Sequence, residues 1–233
     1  MIVAHRGASM DAPENTIPAF KLAWEQDADA IEGDFRLTKD GHIVCIHDAD
    51  TKRVSDTKLV VRHATLAELR KLDVGIPTIS EVLSTIPEQK MIYIEIKCGT
   101  EIIPALLEEI ERSDLTKEQI VVISFHKEVI QALKNETPQY KAIWLSQFKK
   151  DISGKTSPSL ETVLTTLKQI KADGFSSSIK FIDEAFIKRV KEEGYEYHVW
   201  TIDDAKSARL FNTWGVNSIT TNRPGYLRKA LTE

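Results

Sequence analysis

At 233 residues, 42% hydrophobic and 28% charged, the chain has the composition of an ordinary soluble globular protein, long enough for one large domain or two small ones. A net charge of -4 offers no basic field to DNA or RNA, which excludes nucleic acid as an expected partner and requires any phosphate to be bound locally. No apolar run approaches the roughly 20 residues that span a bilayer, and MIVAHRG lacks the basic-then-apolar start of a signal peptide; the expectation is a cytoplasmic protein with no membrane anchor.

The first strand is expected in MIVAHR, which runs directly into His5, Arg6 and Gly7. Pro13 then leads into Glu14 and Asn15, with Asn15 or Thr16 capping a first helix over NTIPAFKLAWEQD. A second strand, AIEGDFRL, returns through the turn TKDGH as the hairpin strand IVCIHD. Residues 48–76 are more polar, carry one short helical pattern around LAELRKL, and read as a surface excursion. Helix TISEVLSTI precedes strand MIYIEIK. From there strands and helices alternate to the end: IIPALLEEIERS, QIVVISF, HKEVIQALKN, YKAIWLS, SLETVLTTLKQIKA, GFSSSI, DEAFIKRVKEE, YEYHVW, DAKSARLFNTW and NSITTN.

Alternation of short β-branched strands with amphipathic helices signals a parallel sheet with helical crossovers. About eight βα units in a chain of this length match a (β/α)8 TIM barrel, here a single domain over 1–233 with a small insertion after the second strand. A doubly wound open sheet is the weaker alternative, because no GxGxxG turn follows the first strand. Cys45 and Cys98 form no CxxC pair and read as reduced packing residues.

Catalytic groups of such a barrel gather at the C-terminal ends of its strands. There the sequence puts His5 and Arg6, Glu32 and Asp34, His47 and Asp48, Glu95 and Lys97, and Trp200. Side chains alternate faces along a strand, so Glu32 and Asp34 share one face, and so do Glu95 and Lys97. Three carboxylates from two strands repel one another unless a cation sits among them, and oxygen ligands suit Mg2+ or Ca2+ better than zinc. Each pair also has a plain reading, as a strand-end turn or an ion pair across the barrel mouth. Of the six histidines, His42 and His63 read as exposed loop residues, His126 as a first-turn helix residue, and His198 as barrel filling. His5 and His47 differ in arriving at strand ends beside opposite charges.

In order along the chain, AHRGAS, APENT, AIEGDFRLTKDGHIVCIHD, LDVGIPTISEVL, IEIK, ISFH, HVWTIDD and ITTNRPG resemble the glycerophosphodiester phosphodiesterase family over nearly the whole length. The resemblance implies a divalent metal on Glu32, Asp34 and Glu95, with His5 and His47 as the acid/base pair. It implies phosphate contacts from Arg6 and Lys97, and a role for Asn15 in binding phosphate or orienting a ligand. Glu14 is then expected in the metal's second shell, with Trp200 and Phe125 against the glycerol. The implied reaction is hydrolysis of glycerophosphodiesters such as glycerophosphocholine to sn-glycerol 3-phosphate and an alcohol, the nucleophile being water or the glycerol 2-hydroxyl. Three departures from the family pattern, Gly33 between the carboxylates, His126 after Ser-Phe and a short 48–76 stretch, bear on the shape of the mouth and the alcohol accepted. Alternatives are hydrolysis of lysophospholipids, a Schiff-base lyase using Lys97, and a barrel without catalysis.

Overall fold

The structure, a computed structural model, describes residues 1–232. Its strands are β1 (Ile2–His5), β2 (Ala30–Leu37), β3 (Ile43–Cys45), β4 (Met91–Ile96), β5 (Ile120–Ser124), β6 (Lys141–Ser146), β7 (Lys149–Lys150), β8 (Thr156–Ser157), β9 (Gly174–Ser178), β10 (Glu196–Trp200) and β11 (Ser218–Thr221). Its α-helices are α1 (Ile17–Glu25), α2 (Leu66–Arg70), α3 (Ile79–Leu83), α4 (Ile103–Glu111), α5 (Lys127–Glu136), α6 (Leu160–Ile170), α7 (Glu184–Glu192), α8 (Ala205–Thr213) and α9 (Pro224–Thr232). Strands β1, β2, β4, β5, β6, β9, β10 and β11 pair in parallel, and β1 pairs with both β2 and β11. That last pairing closes the sheet into the expected barrel and removes the open-sheet alternative.

Alternation along the strands divides the buried residues into two bodies. Val3, Ala30, Tyr93, Val121, Ile123, Ile143 and Leu145 cluster in the lumen. Residues one position away, such as Ala4, Ile31, Phe35, Ile94, Phe175 and Tyr197, pack outward in the core shared with the helices. The lumen also takes His198, as the sequence suggests. Its Nδ1 is 2.8 Å from Ser218 Oγ and its Nε2 3.1 Å from Glu196 Oε2, while Lys141 Nζ lies 2.6 Å from Glu196 Oε1.

Strand β3 returns antiparallel on β2, as expected, but stops at Cys45, so His47 and Asp48 stand in the following loop rather than on the strand. The excursion after β3 has an apolar base of its own, in which Val61, Ala64 and Leu69 close on Val44 and Ile46. Two elements were not legible in the sequence. The β7–β8 hairpin has only two residues per strand, too few for a periodicity, and α9 is the helix that follows the last barrel strand.

Helix α1 starts at Thr16, whose side chain accepts from Ala19 N and so satisfies a free donor of the first turn. Gly7 is what lets the chain reach it. Gly7 has φ +83°, and a Cβ there would lie 2.6 Å from the carbonyl carbon of Ala19. Gly7→Ala therefore adds a left-handed strain to a backbone collision, and is expected to cost about 3 kcal/mol or more. Chemical denaturation reads this directly, and a change within about 0.5 kcal/mol of wild type would contradict the close approach.

Candidate active site

Register assembles the site. Between β1 and β2, His5 pairs with Glu32; between β2 and β4, Asp34 pairs with Glu95. Glu32, Asp34 and Glu95 therefore converge on the lumen at the C-terminal mouth, each offering an oxygen within 4.8 Å of the others, and all three are buried. His5, Arg6, His47, Lys97, Phe125 and Trp200 stand around them on the wall of one cavity of about 250 Å3. That volume falls below the ~300 Å3 at which pockets for drug-sized ligands begin.

The carboxylates are not balanced by protein charge alone. Arg6 Nε lies 3.0 Å from Asp34 Oδ2, and Lys97 Nζ lies 2.7 Å from Glu95 Oε1 and 3.5 Å from Asp34 Oδ1. Glu32 receives the Arg6 backbone N–H on Oε2 at 3.0 Å. Among the described residues, Glu32 Oε1 and Asp34 Oδ1 are buried without a hydrogen-bond partner. Burial, and next the charge of Asp34, push Glu95 up to about 7 and Glu32 well above the ordinary carboxylate value. Burial also acts on Asp34, but Arg6 and Lys97 outweigh it and hold this carboxyl below its usual value. Two unpartnered buried oxygens beside three crowded carboxyls are what a hard divalent cation relieves, so the donor set fits Mg2+ or Ca2+.

Asn15 is engaged with Asp34 and Cys45. Its Nδ2 donates to Asp34 Oδ2 at 2.8 Å, and its Oδ1 accepts from the Asp34 backbone N–H at 3.2 Å and from Cys45 Sγ at 3.2 Å. Of its two expected roles, orienting a ligand is the one the geometry supports. Glu14 stands further out than expected. It touches Arg6 at 3.0 Å and Arg53 at 2.8 Å, and reaches the carboxylate cluster only through Arg6. Lys97 is unsuited to Schiff-base chemistry. Burial lowers its tendency to hold a proton, but the charges of Glu95 and Asp34 outweigh this and keep it a cation.

The two histidines are held differently. His5 Nδ1 lies 2.7 Å from Asn222 Oδ1, while Asn222 Nδ2 donates to Asp203 Oδ2 at 2.7 Å. Because the amide nitrogen is spent on Asp203, the atom facing His5 is an acceptor; His5 carries its proton on Nδ1 and turns Nε2, 3.9 Å from Glu32 Oε2, toward the cluster. Burial, and next the charge of Arg6, push this imidazole below its usual value and keep it neutral. His47 is half-exposed, and its Nδ1 meets the Asp48 carboxylate at 2.7 Å. Its backbone oxygen accepts from Arg36 Nε and Nη2 at 3.0 and 2.7 Å, and Arg36 Nη1 donates to Lys97 O at 3.0 Å. One guanidinium thus ties the His47 loop to the end of β4.

Phe125 and Trp200 meet edge to face, with ring centroids 5.6 Å apart, and Trp200 Nε1 is buried without a partner among the described residues. The Gly33 departure does not shape the mouth. Gly33 faces outward, where a Cβ would lie 3.1 Å from Cys45 Sγ and 3.2 Å from the Phe35 ring. His126 stands at the residue before α5, where its side chain makes no capping hydrogen bond and is exposed, away from the cavity wall. Arg36, Arg53, Asp203 and Asn222 were not singled out in the sequence. Only TIDD and TTNRPG, lying after β10 and β11, carried a signal for the last two.

A family model described as the glycerophosphoryl diester phosphodiesterase family matches residues 5–226. A glycerophosphodiester phosphodiesterase of Caldanaerobacter subterraneus is 31% identical, with 96% of this chain and 94% of that one aligned. Another, of Bacillus subtilis, is 28% identical over 98% of this chain and 85% of its own. Among solved structures, an Oleispira antarctica phosphodiesterase in complex with the product sn-glycerol-3-phosphate superposes with a TM-score of 0.89 at 26% identity, covering 100% of this chain and 97% of the other. A Thermotoga maritima glycerophosphodiester phosphodiesterase gives 0.83 at 27% identity, covering 98% and 96%. A closed parallel barrel and relatives matched over nearly their whole length lead to one assignment: the chain is a phosphoric diester hydrolase and belongs to the glycerophosphoryl diester phosphodiesterase family.

Proposed function

We propose that the protein hydrolyses glycerophosphodiesters such as glycerophosphocholine and glycerophosphoethanolamine to sn-glycerol 3-phosphate and an alcohol. The observation that carries this reading is a cluster of three buried carboxyls with unpartnered oxygens, set between a neutral His5 and a carboxylate-paired His47. Glu32, Asp34 and Glu95 would hold Mg2+ or Ca2+, which when bound neutralises charge on the phosphoryl oxygens. Arg6 and Lys97, already beside the cluster, add positive charge to the same oxygens from the protein side. Asn15, donating to Asp34 Oδ2, fixes the orientation in which that carboxylate would serve as a ligand. Phe125 and Trp200 offer an apolar wall to the glycerol carbons, and Trp200 Nε1 a free donor to a hydroxyl.

His5 and His47 divide the proton work. The neutral His5, with Nε2 free, takes the proton of the attacking water or 2-hydroxyl. His47, held on Nδ1 by the Asp48 carboxylate, gives a proton to the departing alkoxide. Burial pushes Asp48 up, yet the hydrogen bonds from His47 and Arg53 outweigh it, so this partner stays ionised.

Replacing either histidine with Ala is expected to lower kcat on glycerophosphocholine by about 10² to 10⁴. The two losses differ in kind. With p-nitrophenol as leaving group, which needs no proton, His47→Ala recovers most of its rate, whereas His5→Ala remains impaired. The opposite pattern exchanges the roles; full activity in both variants, with phosphorus NMR identifying the product, rejects the acid/base pair.

The cation leaves a second signature. A Glu95 carboxyl at about 7, with Glu32 also raised, binds more protons in the folded protein than in the unfolded one between about pH 4.5 and about pH 7. On account of these groups, stability of the metal-free protein falls as pH rises through that window. A cation must displace those protons, so the rise in melting temperature on adding Mg2+ or Ca2+ should grow from about pH 5.5 to about pH 8. A rise independent of pH would remove the two glutamates from the ligand set. Removal of divalent ions by EDTA should abolish turnover without unfolding the barrel.

A further inference from the structure

We infer that Arg53, in the 48–76 excursion, is a positioning residue that sets the direction of His47; the inference rests on the acid role proposed for that histidine. Arg53 Nη1 and Nη2 each lie 2.8 Å from a different oxygen of Glu14, a bidentate fork, and Nε donates to Asp48 Oδ2 at 2.5 Å. Asp48 uses its other oxygen, Oδ1, on His47 Nδ1 at 2.7 Å. Every oxygen of both carboxylates is thus assigned. Glu14 is in turn fixed by Arg6 at 3.0 Å. The planar guanidinium, locked by its fork on Glu14, can present Nε in only one direction, and that direction is Asp48.

The Arg53 side chain is 44% exposed and Glu14 25%, so solvent screens these pairs, and whatever the fork on Glu14 adds to folding does not require Nε to be spent on Asp48. Arg36 already holds the His47 main chain through two hydrogen bonds to its carbonyl oxygen. What Arg36 leaves undetermined is the ring, and the ring is steered through Asp48. A lysine at 53 would keep the charge but lose the fork. The excursion, with its apolar base of Val61, Ala64 and Leu69, then acts as the mounting of this arm beside the mouth.

Arg53→Ala is expected to lower kcat on glycerophosphocholine by about tenfold to a hundredfold, with KM and melting temperature nearly unchanged. Arg53→Lys should recover little of the loss, and added guanidinium ion should restore part of the Arg53→Ala rate. On a His47→Ala background, assayed with a p-nitrophenyl ester, removing Arg53 should cost no more than about twofold, because the ring it steers is gone. Unchanged kcat, or an undiminished loss on the His47→Ala background, overturns the inference. The 15N spectrum of the imidazole rings decides the same point without turnover. Arg53→Ala should shift the His47 ring signals and leave those of His5, held by Asn222, in place; an unmoved His47 overturns the inference. Failure of the wild-type enzyme on glycerophosphodiesters, with His47 still shifting, faults the proposed substrate and leaves the positioning role standing.

Discussion

Three carboxyl groups crowded at one end of a closed barrel, with too little protein charge to neutralise them, are the constraint from which the rest of the mouth follows. Among the described residues, Glu32, Asp34 and Glu95 face only Arg6 and Lys97 as immediate cations, and Arg6 is shared with Glu14. Burying unpaired charge is costly, and proteins resolve it by pairing, protonation or a metal. Pairing and protonation both appear here: Asp34 is paired and further fixed by Asn15, and Glu95 and Glu32 are pushed toward their protonated forms, while Glu32 Oε1 and Asp34 Oδ1 lack a hydrogen-bond partner among the described residues, a donor set that would suit a cation. A less rigid frame would let the carboxylates move apart. The closed sheet prevents it, because Asp34 and Glu95 are neighbours in a parallel register continued on both sides.

The same alternation that stabilises the barrel supplies its chemistry. Along β4, Tyr93 and Glu95 face inward, and Lys97, just past the strand, continues that face; between them, Ile92, Ile94 and Ile96 pack against the helices. Along β10, Glu196, His198 and Trp200 step inward from the floor to the mouth. At the floor, burial pushes Glu196 up, but hydrogen bonds from His198 and Lys141 prevail and bring it to about 2, so this partly buried charge is internally satisfied. Satisfied charge at the floor and unsatisfied charge at the mouth separate structure from function within one lumen.

The two histidines have different second partners, and the acid/base division proposed for them follows that difference. His5 leans on an amide whose orientation is dictated by Asp203, which allows one proton position and itself brings no charge to Nδ1, while the other ring nitrogen stands 3.9 Å from Glu32. His47 leans directly on a carboxylate, which itself is tied to a guanidinium. Identical side chains at one barrel mouth are thereby held by chemically different partners.

Much of this was legible in the chain itself. Period-two alternation dictates that Glu32 and Asp34 share a face and that Glu95 and Lys97 share another, whatever the fold, and repeated βα units limit the architecture to few choices. Those local rules were enough to name the carboxylates, both histidines and the two cations. What they do not carry is partnership across long separations. Asn222 reaches His5 across 217 positions and Arg53 reaches Glu14 across 39, and no periodicity encodes either contact. Asn15 illustrates the limit best: its type and its place before a helix fit a phosphate ligand, a cap or a strut equally, and only closure of β1 onto β2 set it against Asp34. Sequence by itself determined which chemical groups arrive at the barrel mouth, because that depends on alternation within each strand. Tertiary structure alone decided which of them point at one another, because that depends on register between strands and on loops brought together only when the sheet closes.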